Sequence, residues 1–126
     1  MIILLPLLIV LIDFIAARVG WYFTIEIFDD VMHFGGGLAI AIVYVLLLKI
    51  LQEEKVTGVM NPLISFIFII SLVALTAVGW EFYEYLLDVL LPSEFLRQPS
   101  IKDTMGDLFL GLVGGSLGFL IAKIKK

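Results

Sequence analysis

The chain has a single histidine, His33, and two aspartates precede it at helical spacing. Asp29 and Asp30 stand four and three residues before it, and both spacings place side chains on one face of a helix. Such a pair offers a carboxylate oxygen and an imidazole nitrogen to one metal ion. The pattern also suits a helix N-terminus, where the macrodipole favours negative charge. The motif alone therefore leaves both interpretations open.

Two further groups of acids follow in the chain. Glu81, Glu84 and Asp88 lie within about 60° of one another on a helix. Carboxylates this close repel one another unless a cation, a shared proton or an arginine relieves them. Asp103 and Asp107 also share a helical face, although Asp103 could instead cap a helix.

The three groups together predict one metal site, because carboxylates and imidazole on facing helices are how helical bundles build such sites. The predicted ligands are Asp30, His33, Glu81 and Asp107, and the predicted catalytic bases are Glu84 and Asp103. Mostly oxygen donors with one nitrogen suit Mg²⁺, Mn²⁺, Ca²⁺ or Zn²⁺. The alternative is a water-filled vestibule of acids that holds no metal.

Composition indicates which elements must position these residues. The 126 residues are 62% hydrophobic and 16% charged, with a mean hydropathy of +1.16. A soluble domain is about half apolar and a quarter charged, so the chain belongs to the membrane class. The net charge of −4 argues against a nucleic-acid partner. The absence of cysteine excludes disulfides, zinc fingers and thiol chemistry.

Apolar stretches predict an all-α integral membrane bundle of four transmembrane helices within a single polytopic domain, residues 1–126. A spanning helix needs about 20 mostly apolar residues. The predicted spans cover about residues 2–19, 31–51, 62–90 and 104–124. A cleaved signal peptide is the less favoured interpretation of the first stretch, which has no basic start.

The distribution of charge predicts orientation in the cell membrane. With four spans, the two termini and the middle loop share one side and carry five of the eight basic residues, so we expect both termini in the cytoplasm. Ten of the twelve acids fall toward the other side, together with both tryptophans. Tryptophan favours the interface, so the predicted site lies in the outer half of the bilayer.

Three other features accompany the acids. Arg18 and Arg97 lie on the same side and could neutralise an acid or hold a phosphate. Asp13, inside the first span, could pair with Arg18 or join the site. The fourth span contains overlapping G-x-x-x-G spacings, which predict close helix packing and leave a homo-oligomer through this helix open.

The order of the motifs carries a family resemblance. Residues 28–36 read FDDVMHFGG, residues 80–84 read WEFYE, and residues 102–107 read KDTMGD before a glycine-rich segment. This order resembles the YjdF-like group of small membrane proteins and, more distantly, the VanZ-like proteins. The resemblance covers about residues 28 to 122 and adds support for the positions Asp30, His33, Glu81, Glu84, Asp103, Thr104 and Asp107. It implies an envelope role and no defined reaction.

The sequence therefore predicts a polytopic membrane protein that binds a divalent metal ion near the outer face. Its partners are the lipid bilayer and a lipid or other amphiphilic substrate. If it is an enzyme, metal-assisted hydrolysis or transfer on an amphiphilic phosphate fits best. The alternatives are cation or proton transport and a non-catalytic envelope or interaction protein.

Overall fold

The computed structural model describes residues 4–91 and 97–124, and these residues form helices without any strand. The helices are α1 (Leu5–Val19), α2 (Trp21–Thr24), α3 (Phe28–Glu53), α4 (Pro62–Leu90) and α5 (Ile101–Ile124). The predicted all-α class is confirmed.

Three helices are long and apolar enough to cross a membrane, namely α3, α4 and α5. Helix α1 has 15 residues and is about 22 Å long at the usual rise per residue. That length is below the hydrocarbon thickness of about 30 Å. The structure therefore supports three of the four predicted spans. The first span, and the cytoplasmic location of both termini that depends on it, remain predictions.

The long helices begin near the predicted positions. Helix α4 has the predicted bounds, and the Asn61 side chain caps it by accepting a hydrogen bond from the Leu63 N–H at 2.8 Å. Helix α3 begins three residues earlier than predicted, at Phe28. Helix α5 also begins earlier, and Ser100 Oγ accepts the Asp103 N–H at 3.2 Å. Ser100 thus takes the capping role considered for Asp103, which leaves the Asp103 carboxylate available to the site.

Glycines set the distance between α3 and α5. A Cβ atom on Gly114 would overlap the carbonyl of Phe34, and one on Gly118 would overlap the carbonyl of Leu38. Small residues of this kind let membrane helices approach closely. Because α3 covers this stripe of α5 within the same chain, the glycine pattern no longer argues for a homo-oligomer.

The half of the bundle away from the acids is a dry core of aliphatic and aromatic side chains. We call this cluster the inner core, and its buried members are Ala41, Val45, Leu48, Ile69, Val73, Phe119 and Ala122. Most apolar side chains outside it are exposed on the helix surfaces. That is the pattern of helices whose outer faces contact lipid.

Helix α1 lies to one side of the bundle. It packs against α3 and the short α2, and among the described residues none of its Cα atoms lies within 8 Å of a Cα atom of α4 or α5. Gly20, in the left-handed conformation (φ 78°), turns the chain from α1 into α2. This turn brings the aromatic residues of α2 back over the end of α1.

Candidate metal centre

The site is built where three helices bring acids and the histidine to one end of the bundle. His33 lies in the second turn of α3, Glu81 and Glu84 lie in the last turns of α4, and Asp107 lies in the second turn of α5. Successive spans run in opposite directions, so these positions reach the same depth. The four residues are buried, with exposed fractions of 9%, 6%, 2% and 4%.

The imidazole of His33 stands at the centre of the carboxylates. Its Nε2 atom lies 3.4 Å from Asp29 Oδ1, 3.9 Å from Glu84 Oε2 and 4.0 Å from Asp107 Oδ2. Its Nδ1 atom lies 3.8 Å from Glu81 Oε1. We call these five residues the acid–histidine cluster.

The spacing of these atoms fits a shared ion. Three overlapping groups have all their ligand atoms within 4.8 Å of one another: Asp29, His33 and Glu84; His33, Glu81 and Asp107; Asp29, Asp103 and Asp107. Two ligand atoms that each lie about 2.1 Å from one ion are separated by roughly 3.0–4.2 Å. The distances from each imidazole nitrogen to its carboxylate neighbours fall within this range. Since one nitrogen serves one ion, an ion would be held by one of the overlapping groups rather than by all five residues.

One carboxylate oxygen of the cluster accepts no hydrogen bond from the described residues. Glu81 Oε2 accepts a hydrogen bond from Gln98 Nε2 at 2.6 Å, whereas Glu81 Oε1 is buried without any hydrogen-bond partner among the described residues. A buried, unsatisfied polar atom costs about 1–3 kcal/mol, and more when it is charged. A cation at this position would remove that cost.

Most of the predicted site residues converge. His33, Glu81 and Asp107 form one of the three groups, and Glu84 and Asp103 belong to the other two. Asp30 does not join any of them: its side chain is exposed, and its neighbour Asp29 supplies the oxygen beside His33. The two aspartates differ by about 100° around the helix, and the close contact of α3 with α5 turns Asp29 inward.

Gln98, in the segment before α5, also contributes to the site, although its sequence spacing gave no indication of this role. The carboxylate of Asp88 accepts the backbone N–H groups of Arg97 and Gln98 at 3.0 and 2.9 Å. This anchor places the Gln98 amide against both the side chain and the carbonyl of Glu81. No spacing rule identifies such a residue, because a loop conformation brings it there.

Arg97 connects the cluster to α1. Its Nη1 atom lies 3.4 Å from Asp13 Oδ1 and 3.9 Å from Glu84 Oε1. The Tyr22 hydroxyl donates to the same Asp13 oxygen at 2.6 Å. Burial, followed by this hydrogen bond, raises the pKa of Tyr22 above its ordinary value. Of the two roles considered for Asp13, the link to the site through Arg97 is the one seen among the described residues. The Arg18 guanidinium lies over the Phe14 ring instead.

A cavity of about 750 Å³ opens beside the cluster, and we call it the vestibule. Its acids are Glu26, Asp29, Asp30, Glu84, Asp88 and Asp103. Among the described residues, the one basic side chain in the lining is that of Arg97. A cleft lined by one sign of charge concentrates counter-ions, so the vestibule attracts cations toward His33.

Comparison with known proteins identifies the family of the chain. No curated protein and no solved structure shows significant similarity to the chain. Residues 2–125 match the model of a family described as "Predicted membrane protein (DUF2238)". The chain therefore belongs to this family of membrane proteins, which includes the YjdF-like group that its motifs resemble.

Proposed function

We propose that this membrane protein binds a divalent metal ion in the acid–histidine cluster. His33, Glu81 and Asp107, which form one group of ligand atoms, would be ligands. Asp29 would hold the imidazole through its Nε2 atom, in place of the predicted Asp30. The observation that carries the proposal is the buried Glu81 Oε1, which accepts no hydrogen bond among the described residues and lies 3.8 Å from His33 Nδ1.

The donor set supports a hard or borderline ion. Carboxylate oxygens predominate and imidazole supplies one nitrogen, a combination that admits Mg²⁺, Mn²⁺, Ca²⁺ or Zn²⁺. The vestibule would deliver the ion from the outer leaflet in the predicted orientation.

The same arrangement supports chemistry on an amphiphilic phosphate, as hydrolysis or transfer. A bound ion would supply Lewis acidity and an activated water. Glu84 and Asp103 would act as bases, because each lies in a group that also contains a proposed ligand. That ligand is His33 for Glu84 and Asp107 for Asp103. An acidic vestibule repels a phosphate, so the headgroup would enter only where a cation offsets the carboxylates.

The first test is the elemental metal content of the purified protein, together with thermal unfolding in Mg²⁺, Mn²⁺, Ca²⁺ and Zn²⁺. We expect about one ion per chain, and a gain of roughly 2.7 kcal/mol when the ion is present at 100 times its dissociation constant. Glu81→Gln and Asp107→Asn should abolish both effects. Asp29→Asn should weaken binding, whereas its neighbour Asp30→Asn is the matched control and should not.

A negative result would refute the metal proposal. If the protein holds no ion and no ion raises its melting temperature, proton-linked transport or a structural role becomes the better hypothesis. With an ion bound, turnover of a lipid phosphate by the wild type that Glu84→Gln abolishes would support an enzyme. An envelope role of the kind implied by the more distant VanZ-like resemblance would show neither turnover nor transport in vesicles.

A further inference from the structure

A second cavity lies on the membrane side of His33. Its volume is about 140 Å³, and residues from α1, α3, α4 and α5 line it. Its wall runs along α3 from Met32 to Ile40 and along α4 from Val73 to Trp80, which corresponds to a length of about 10–12 Å at the helical rise. We call this cavity the crevice.

The crevice lies between α1 and α4, whose Cα atoms stay more than 8 Å apart in the described part of the chain. Ile9 and Val10 line it from α1, and Ala77 and Trp80 line it from α4. Val10 is 49% exposed, so the gap between the two helices faces the bilayer. Gly36, Gly37 and Gly111 complete the lining, and of these Gly36 faces Ile9 of α1 with no side chain between them.

The lining decides what can fill this space. Nearly all of it is apolar, apart from His33 at one end and Thr76 on α4. The Thr76 hydroxyl already has two hydrogen-bond partners, Tyr44 and the Leu72 carbonyl. An apolar cavity of about 150 Å³ stays dry and accepts a hydrocarbon guest. In a bilayer, the hydrocarbon at hand is a lipid chain.

We propose that the crevice admits an acyl chain of a membrane phospholipid, which enters between α1 and α4. His33 lines the crevice and also belongs to the acid–histidine cluster, so a lipid held there has its polar end directed toward the cluster. The inference that this lipid is a substrate rests on the proposed function. The inference that the crevice binds an acyl chain does not rest on it, because the apolar lining supports that inference independently.

Two neighbouring glycines provide a matched pair of variants. A Cβ atom on Gly36 would meet only Ile9 Cγ2, at 3.8 Å, so Gly36→Leu places its side chain in the crevice without a backbone clash. A Cβ atom on Gly35 meets nothing within 4 Å, and Gly35 does not line the crevice. Gly35→Leu therefore adds the same side chain outside it.

Tryptophan fluorescence reports occupancy. The chain has two tryptophans, and Trp21→Phe leaves Trp80, which lines the crevice. The protein is reconstituted in phosphatidylcholine vesicles whose acyl chains carry bromine, a contact quencher. We expect Gly36→Leu to lose part of the Trp80 quenching and Gly35→Leu to retain it. Equal quenching in all three proteins, or an equal loss in both variants, overturns the proposal.

A second pair guards against misfolding of Gly36→Leu, which far-ultraviolet circular dichroism would reveal. Ile9→Phe narrows the crevice from α1, and Leu8→Phe adds the same ring to an exposed position beside it. The first should reduce Trp80 quenching and the second should not. Metal content is measured in every variant. If the wild type binds no ion but is still quenched more strongly than Gly36→Leu and Ile9→Phe, the metal proposal is wrong and the proposal of acyl-chain binding in the crevice stands.

Discussion

The two ends of this helix bundle solve the same packing problem in opposite ways. In the inner core, α3, α4 and α5 fill the space with side chains such as Val45, Ile69 and Phe119. At the other end the same helices enclose His33 among carboxylates, and one oxygen of Glu81 stays unsatisfied. Burial of charge is expensive and burial of aliphatic side chains is favourable. The inner core therefore holds the bundle together, and the acid–histidine cluster is the end at which we propose that an ion binds.

The glycine contact between α3 and α5 lies between these two ends, so its loss should have the largest effect. Gly114→Val forces a side chain into the Phe34 carbonyl. We expect destabilisation of about 3 kcal/mol or more, at the upper end of overpacking effects. Thermal unfolding in detergent measures it.

Gly106→Ala is the control on the same helix, since a Cβ atom there meets nothing within 4 Å. It should stabilise α5 by about 0.5–1 kcal/mol, the usual gain over glycine in a helix. Equal stability of Gly114→Val and the wild type would contradict the described contact.

Removal of the proposed ion should affect one end only. At 100 times the dissociation constant, the bound ion contributes roughly 2.7 kcal/mol, and a chelator removes that stabilisation. Hydrogen exchange should accelerate at residues 32–36 of α3 and stay unchanged at residues 41–48, because only the former adjoin the cluster. A uniform change along α3 would contradict the separation of the two ends.

The two arginines sharpen the comparison further. Arg97→Gln removes a charged partner of Asp13, which is 3% exposed. We expect a loss of about 1–3 kcal/mol, the range for a buried group deprived of its partner. Arg18→Gln should stay within about 0.5 kcal/mol, as is usual for surface substitutions. Equal effects in the two melting curves would mean that Asp13 does not depend on Arg97.

Tyr22→Phe should destabilise the protein by about 1 kcal/mol, the usual contribution of one hydrogen bond. Since the pKa of Tyr22 is raised in the folded protein, the hydroxyl stabilises the fold fully below the unfolded value of about 10. That contribution is lost as the pH rises above it. The melting temperature of the wild type should therefore fall more steeply above pH 10 than that of Tyr22→Phe. Parallel pH profiles would contradict the link between Tyr22 and Asp13.

Helical spacing predicted much of this arrangement. The spacing of Glu81 and Glu84, and the position of Asp107 past the first turn of its helix, were sufficient to expect them beside His33. The all-α class and three of the spans followed from hydropathy.

Two features could not be predicted from the sequence, namely how each helix is rotated about its axis and which loop residues reach the site. Asp29 and Asp30 both suit the spacing to His33, and only the packing of α3 on α5 decides between them. Gln98 and Arg97 reach the site because Asp88 holds their backbone N–H groups. That contact follows from the path of a loop, which no periodicity encodes.

The pairing of α3 with α5 has a consequence for how the protein is made. Helix α5 follows both other long helices in the chain, so during synthesis His33 and Glu81 reach the bilayer before Asp107 does. Membrane helices insert first and associate afterwards. The glycine stripe that fixes α3 arrives with the same helix as Asp107. Insertion of α5 therefore supplies the contact with α3 and the Asp107 member of the acid–histidine cluster in one step, and an intermediate that lacks α5 would leave acids of the other helices without these neighbours.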